Sequence, residues 1–191
     1  MIQAIVFLGN PGRQYAKTRH NAAWQLLPYF HESNEATWQR KLKGEYAVVR
    51  TAALSRHLLK PLTFMNKSGE SVRVLCDFIK ITSQELLVVH DEVELAFGEA
   101  GYKRGGGAAG HNGLRSIVSH LGGNDFHRFR IGVGRPDRGL VSSFLLSAFD
   151  RDEQEALPEF LVGAAGVLDE ILALIDGGAE VPSKCRRILV V

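Results

Sequence analysis

The segment IQAIVFLGNPG, residues 2–12, sets the pattern that decides the fold. Residues 2–8 are apolar apart from Gln3, partly β-branched and followed at once by a glycine turn, which is typical of a buried strand. The run is too short to span a membrane and lacks the basic region that opens a signal peptide. It therefore predicts a core strand that delivers Gly9, Asn10 and Gly12 to one edge of a sheet.

Further short apolar runs predict strands at residues 46–53, 58–62, 86–90 and 129–133. Between them, apolar residues recur at the spacing of one helix face, at Val72–Ile79, Leu114–Leu121 and across residues 157–175. Asn66 or Ser68 is the expected N-cap of the first of these helices. The alternation predicts an α/β protein with a mixed, mostly parallel sheet and helices on both faces.

Length and cysteine content narrow the class of protein. A chain of 191 residues with 45% hydrophobic content is long enough for one core, so residues 1–191 are expected to form a single domain. Cys76 and Cys185 are too few for a disulfide framework, which favours a reduced, cytoplasmic protein. The tail from residue 181 fits either a last strand or a frayed end, and the sequence leaves both open.

The formal net charge of +2 hides an uneven distribution of charge. Residues 1–60 carry nine Lys or Arg against three acids, and residues 101–138 carry seven against two. Residues 150–180 hold nine acids and one base. Because the basic segments are also the glycine-rich ones, they predict a positive field that attracts phosphate-bearing partners.

Two glycine-rich loops each lead into a His-Asn pair, His20-Asn21 and His111-Asn112. Such a pair places an imidazole, which exchanges protons near neutral pH, beside a side-chain amide that can bind a carbonyl group. Ligands of α/β sheets bind beyond the carboxyl ends of strands, and Asp91 follows the strand predicted at 86–90. The pattern predicts acid/base chemistry with Asp91 as the carboxylate and His20 or His111 as the imidazole.

Other chemistries lack their sequence signatures. The chain has no GxxxxGK[ST], GxGxxG or GxSxG motif, so no nucleotide cofactor and no serine nucleophile is expected. His90 and Asp91 could be metal ligands, but alternate residues of a strand point to opposite faces and no HExxH spacing supports a site. We therefore expect a reaction without metal or cofactor.

Three asparagines have both a structural and a functional interpretation. Asn10 suits a turn before Pro11, Asn66 a helix cap, and Asn112 a turn before Gly113. If the three amides converge near the imidazole, they form a surface that binds peptide-like C=O and N–H groups.

Taken together, several blocks of this sequence resemble the bacterial peptidyl-tRNA hydrolase family, whose members cleave the ester between a stranded peptide and tRNA. The blocks are FLGNPGRQYAKTRHNAAW, KPLTFMNKSGESV, VVHDEVELAFG, GYKRGGGAAGHNGLRSI and FHRFRIGVGRP. They lie within residues 5–136 in the order typical of the family, and their combined specificity is high.

The resemblance assigns roles to ten residues. It implies that His20 is the general base, that Asp91 is its partner, and that Asn10 positions both base and substrate. It also implies that the peptide and the oxyanion are held by Asn66 and Asn112, that the cleft is lined by Tyr15, Met65 and His111, and that tRNA phosphate is bound by Lys103 and Arg130. The implied partner is peptidyl-tRNA, and a monomer is expected.

The sequence departs from the family pattern at Phe7, Ala23, Glu92 and Glu94, and at Ala108-Ala109 in the second glycine-rich loop. None of these positions is His20, Asp91 or one of the three asparagines. Two other functions stay open at this point. One is a non-catalytic RNA-binding protein of the same fold, and the other is an esterase or amidase that acts on small molecules.

Overall fold

The computed structural model describes residues 1–50 and 54–189, and within them eight strands form one continuous sheet. The strands are β1 Ala4–Phe7, β2 Gln39–Lys41, β3 Gly44–Arg50, β4 Ser55–Pro61, β5 Leu86–Glu92, β6 Glu99–Arg104, β7 His127–Gly132 and β8 Lys184–Arg187. Their order across the sheet is β2-β3-β4-β1-β5-β7-β6-β8.

The centre of the sheet is parallel and its two sides are antiparallel. Strand β1 pairs in parallel with β4 and with β5, and β5 pairs in parallel with β7. Antiparallel β3 and β2 extend one side, and antiparallel β6 and β8 extend the other. The expected mixed α/β sheet with a parallel core is confirmed.

Helices cover both faces of this sheet. Their bounds are α1 Ala22–Leu26, α2 His31–Asn34, α3 Ser68–Ile79, α4 Asn112–Leu121, α5 Val141–Leu145 and α6 Arg151–Asp176. Within the described ranges, none of these helices combines the length and hydrophobicity needed to cross a bilayer.

Alternation along β1 explains why the sheet has two cores. Ile5 and Phe7 point to the face covered by α1 and α6, whereas Val6 and Leu8 point to the face covered by α3 and α4. All four side chains are fully buried. A strand buried on both faces must be apolar throughout, which is why residues 4–8 form an unbroken hydrophobic run.

The strands that the sequence patterns missed have largely polar sequences and lie on the antiparallel sides of the sheet. Strand β2 has the sequence QRK and β6 the sequence EAGYKR, so neither stands out as an apolar run. The strand predicted at 46–53 begins earlier, at Gly44, and its residues 51–53 lie outside the described part of the chain. The tail forms β8, which decides between the two open interpretations, while residues 190–191 are also outside the description.

The prediction that Asn66 or Ser68 is the N-cap of α3 is wrong. Lys67 occupies the N-cap position, and the Ser68 hydroxyl donates a hydrogen bond to the Met65 carbonyl oxygen over 2.9 Å. Residues Met65–Lys67 form a 3₁₀ turn ahead of the helix. Because the turn continues directly into α3, the Asn66 amide is not used as a cap.

Candidate active site

A cleft of about 700 Å³ opens beyond the carboxyl ends of β1 and β5. It lies where ligands bind in open α/β sheets. The structure brings the eight residues expected in catalysis and substrate binding to this one cleft. They are Asn10, Tyr15, His20, Met65, Asn66, Asp91, His111 and Asn112.

His20 lies in a 3₁₀ turn, Arg19–Asn21, that immediately precedes α1. The neighbouring Arg19 anchors this turn, because its guanidinium donates to the Val133 carbonyl over 3.2 Å and pairs with Glu153 at 2.5 Å. From this position, His20 Nδ1 lies 2.9 Å from both carboxylate oxygens of Asp91. The two side chains are 9% and 1% exposed, so the pair is nearly closed to bulk water.

A second imidazole contacts the same carboxylate. His111 is the N-cap of α4, and its Nδ1 accepts hydrogen bonds from the backbone N–H groups of Gly113 and Leu114, at 3.1 and 3.3 Å. Since Nδ1 accepts, the proton of the neutral ring is on Nε2, which lies 3.0 Å from Asp91 Oδ1. His111 therefore donates to Asp91, and its own tautomer is fixed by the helix.

These contacts set the charge state of the His20–Asp91 pair. Burial of Asp91 opposes its ionisation, but the charges and hydrogen bonds of His20 and His111 hold the pKa of that carboxyl well below its usual range. Burial of His20 would lower its pKa, but the Asp91 charge and hydrogen bond more than offset this, so the pKa of His20 is raised. An ionised Asp91 requires His20 to donate from Nδ1, which leaves the lone pair of the neutral ring on Nε2.

His90 is adjacent to Asp91 in sequence but occupies a different environment. Its Nδ1 lies 2.7 Å from the backbone carbonyl oxygen of Asp91, to which it donates. Burial lowers the pKa of His90 to about 3, so the ring is neutral. Its ring lies edge-on to the ring of His111, with 5.1 Å between the two centroids.

The two His-Asn pairs differ in what their asparagines do. Asn21 is fully buried, accepts from the Asn10 backbone N–H over 2.8 Å and donates to the Asn10 carbonyl over 3.0 Å. Asn10 Oδ1 in turn accepts from the Met65 N–H over 2.8 Å. The suggestion that both pairs present an amide to the substrate is therefore wrong for the first pair, in which Asn21 braces the loop that carries Asn10.

Asn66 and Asn112 line the cleft with exposed side chains. Asn66 is in the 3₁₀ turn before α3, and Asn112 is the first residue of α4. The two helix starts thus present their amides on the side of the sheet occupied by α3 and α4. Tyr15 closes another part of the wall, with its ring edge-on to Phe64 at 6.4 Å between centroids.

Lys103 and Arg130 lie outside the cleft, on β6 and β7. The register pairs Lys103 with Arg128 and Arg130 with Gly101, which makes Lys103 and Arg130 diagonal neighbours on one face. Strand β6 leads through the loop 105–110 to His111 at the cleft. This loop therefore connects the strand that carries Lys103 to the cleft wall, which includes Ala109, Gly110 and His111.

Sequence reasoning missed the apolar wall of the cleft. Phe64 is 53% exposed, and α5 contributes Val141 and Leu145, followed by Leu146. The signal was the run LVSSFLL at residues 140–146, which has apolar residues at helical spacing. Ala109 also lines the cleft and has a positive φ of 46°, at one of the positions where the sequence departs from the family pattern.

Within the described residues, His20, Asp91 and His111 are the one group whose nitrogen and oxygen atoms come close enough to share a metal ion, all within 4.8 Å. The facing atoms, however, are already paired with each other. His20 Nδ1–H and His111 Nε2–H both point to Asp91, so a metal ion would have to replace both protons.

The site and fold define a class of protein. A buried imidazole–carboxylate pair in an amide-lined cleft at the carboxyl ends of parallel strands is typical of hydrolytic enzymes that act on acyl groups. A family model for peptidyl-tRNA hydrolase matches residues 4–184. The chain belongs to the peptidyl-tRNA hydrolase family.

Individual relatives agree with this assignment. The peptidyl-tRNA hydrolase of Treponema pallidum (strain Nichols) is 50% identical over 163 residues, which cover 83% of this chain and 81% of that protein. The enzyme of the same name from Marinobacter nauticus is 41% identical over 94% of this chain and 89% of its own length. A crystal structure of peptidyl-tRNA hydrolase from Acinetobacter baumannii superposes with a TM-score of 0.78 at 34% identity, covering 92% of this chain and 93% of that one.

The bracing role of Asn21 leads to a testable expectation. Asn21→Ala removes two buried hydrogen bonds to the Asn10 backbone, so we expect the free energy of unfolding to fall by about 2 kcal/mol. Asn112→Ala is the matched control, because the same amide is removed from an exposed position and should change stability by less than about 0.5 kcal/mol. Urea unfolding of both variants measures the difference, and equal losses would contradict the assignment.

Proposed function

We propose that the buried His20–Asp91 pair activates water to hydrolyse the ester bond of peptidyl-tRNA, releasing free tRNA and peptide. The chain is an enzyme of its family, a carboxylic ester hydrolase, and the family name gives peptidyl-tRNA as the substrate. The observation that carries the mechanism is the 2.9 Å contact between His20 Nδ1 and Asp91 within an amide-lined cleft.

The reaction follows from the tautomer of His20. With Nδ1–H held by Asp91, Nε2 takes a proton from water as the water oxygen attacks the ester carbonyl carbon. The imidazolium that forms is stabilised by the ionised Asp91, which itself stays deprotonated. As the tetrahedral intermediate collapses, the bond from carbonyl carbon to ribose oxygen breaks, and the imidazolium returns its proton to that oxygen.

The amides supply the positioning and the oxyanion stabilisation. Asn10 Oδ1 is used by the Met65 N–H, so Asn10 offers its NH₂ group to the substrate and to the water near His20. Asn66, in the 3₁₀ turn before α3, and Asn112, the first residue of α4, offer further amide groups to the cleft. Such preoriented donors stabilise the negative charge that develops on the carbonyl oxygen.

The peptide and the tRNA of the substrate bind to two different surfaces of the protein. The apolar wall of Tyr15, Phe64 and Leu146 accepts peptide side chains, and Lys103 with Arg130 binds tRNA phosphate. We propose that the 191 residues act as a single domain, organised around one continuous sheet, and as a monomer. The reaction runs without metal or cofactor, in the cytoplasm where translation generates the substrate.

The first test concerns the general base. His20→Gln removes the proton acceptor but keeps a hydrogen-bonding side chain, so we expect the rate of peptide release from peptidyl-tRNA to fall at least about 1,000-fold. Binding of deacylated tRNA should stay within about twofold of wild type, because the phosphate contacts lie outside the cleft. His31→Gln, at an exposed position opening α2, is the control and should retain full activity.

Two results would contradict this proposal, and each of them would support one of the two other functions. A wild-type protein that binds tRNA but releases no peptide is a non-catalytic RNA-binding protein. A wild-type protein that hydrolyses a small N-acyl amino acid ester as fast as the corresponding tRNA ester is a small-molecule esterase.

The second test concerns the phosphate contacts. Lys103→Gln and Arg130→Gln each remove one cation, so we expect KM for peptidyl-tRNA to rise about 3- to 10-fold and the slope of log Kd against log salt to fall by about 1. Lys80→Gln removes a cation at the far end of α3 and is the control. Slopes equal to the control would exclude phosphate contacts at Lys103 and Arg130.

A further inference from the structure

The C-terminal strand β8 begins where the match to the family model ends, and it packs closely against the rest of the protein. The match ends at residue 184, where β8 begins. A Cβ atom at Gly101 would lie 2.2 Å from the Lys184 carbonyl oxygen, and one at Gly163 would lie 2.3 Å from Ile188 Cγ2. The contact at Gly101 is with fixed backbone, so glycine is required there for the tail to dock, whereas at Gly163 a larger residue would force the Ile188 side chain to move.

Strand β8 also continues a row of residues that starts beside the catalytic carboxylate. Neighbouring positions across β5, β7, β6 and β8 are His90, Arg130, Gly101 and Cys185. With strands about 4.8 Å apart, Cys185 lies about 14 Å from His90. Because Gly101 has no side chain, the Arg130 guanidinium can lie across β6.

Arg130 uses this opening to contact the tail. Its Nη2 donates to Cys185 Sγ over 3.0 Å, whereas its Nε is buried and has no hydrogen-bond partner within the described residues. A thiol is a weak acceptor, so the guanidinium keeps most of its capacity to bind an anion. The contact orients Arg130 without neutralising it.

Alternation along β8 separates its cations between two faces. Arg187 is two residues from Cys185 and opposite Glu99, so it shares the face of Lys103 and Arg130. Its side chain is 64% exposed, and its contact with Glu99 is loose, at 3.7 Å. Arg186 points to the other face, where it pairs with Glu170 of α6.

We propose that β8 is the outer strand of the phosphate-binding surface, in which Cys185 orients Arg130 and Arg187 contacts a further phosphate of the RNA backbone. This inference rests on the proposed function, because it extends the surface of Lys103 and Arg130 to one more strand. An exposed pair such as Arg187 with Glu99 contributes little to stability, so a phosphate can replace Glu99 as the partner at small cost.

Arg187→Gln tests the added contact, and Arg186→Gln is its matched control from the opposite face. Using deacylated tRNA, we expect Arg187→Gln to weaken binding about 3- to 10-fold at low salt and to lower the slope of log Kd against log salt by about 1. Arg186→Gln should stay within about twofold of wild type. Equal behaviour of the two variants overturns the inference.

A second pair of variants tests the contact between Cys185 and Arg130. Cys185→Asp places a carboxylate beside the guanidinium, so tRNA binding should weaken as much as in Arg130→Gln, whereas the uncharged Cys185→Asn keeps a hydrogen-bond acceptor for Arg130 and should weaken binding clearly less. Binding by Cys185→Asp that equals binding by Cys185→Asn would contradict the orientation role. Thermal unfolding of all four variants verifies that β8 is still docked.

These results are distinguishable from a failure of the proposed function. If wild type hydrolyses peptidyl-tRNA while Arg187→Gln and Cys185→Asp behave like their controls, the enzyme mechanism stands and only the role of β8 is wrong. If wild type does not hydrolyse peptidyl-tRNA, the proposed function itself fails, whatever the tail variants show.

Discussion

The site depends on one buried carboxylate held between two imidazoles. Asp91 is almost completely enclosed, and an ionised carboxylate is costly to bury unless it is paired and hydrogen-bonded. His20 and His111 supply those bonds from two loops that are 90 residues apart in the chain. The sheet makes this possible, because adjacent parallel β1 and β5 bring the loop after β1 next to Asp91, near the end of β5.

The loops that meet at Asp91 are themselves fixed by backbone contacts. Asn21 and Met65 hold Asn10, and the first turn of α4 holds His111 through its Nδ1. Arg19 anchors the His20 turn to Glu153 near the start of α6. Each of these side chains is therefore oriented by contacts with its neighbours, which is the usual requirement for a preorganised site.

Much of this arrangement could be predicted from the sequence. Buried parallel strands such as β1 and β5 appear as unbroken apolar runs, and the resemblance of the blocks around His20, Asp91 and His111 identified the residues that meet in the cleft. Strands β2 and β6 could not be found this way, because their sequences, QRK and EAGYKR, contain no unbroken apolar run. The separate roles of Asn21 and Asn112 were also hidden, since identical His-Asn pairs differ in tertiary contacts alone.

The measurement that tests the account most directly is an NMR titration of the His20 imidazole in the wild type and in Asp91→Asn. Because the Asp91 charge outweighs the effect of burial, His20 should titrate above its ordinary pKa of about 6.5 in the wild type. In Asp91→Asn, burial acts without the opposing charge, so the pKa should fall below about 6.5. A His20 pKa that is the same in both proteins would contradict the central claim that Asp91 prepares His20 to act as the base.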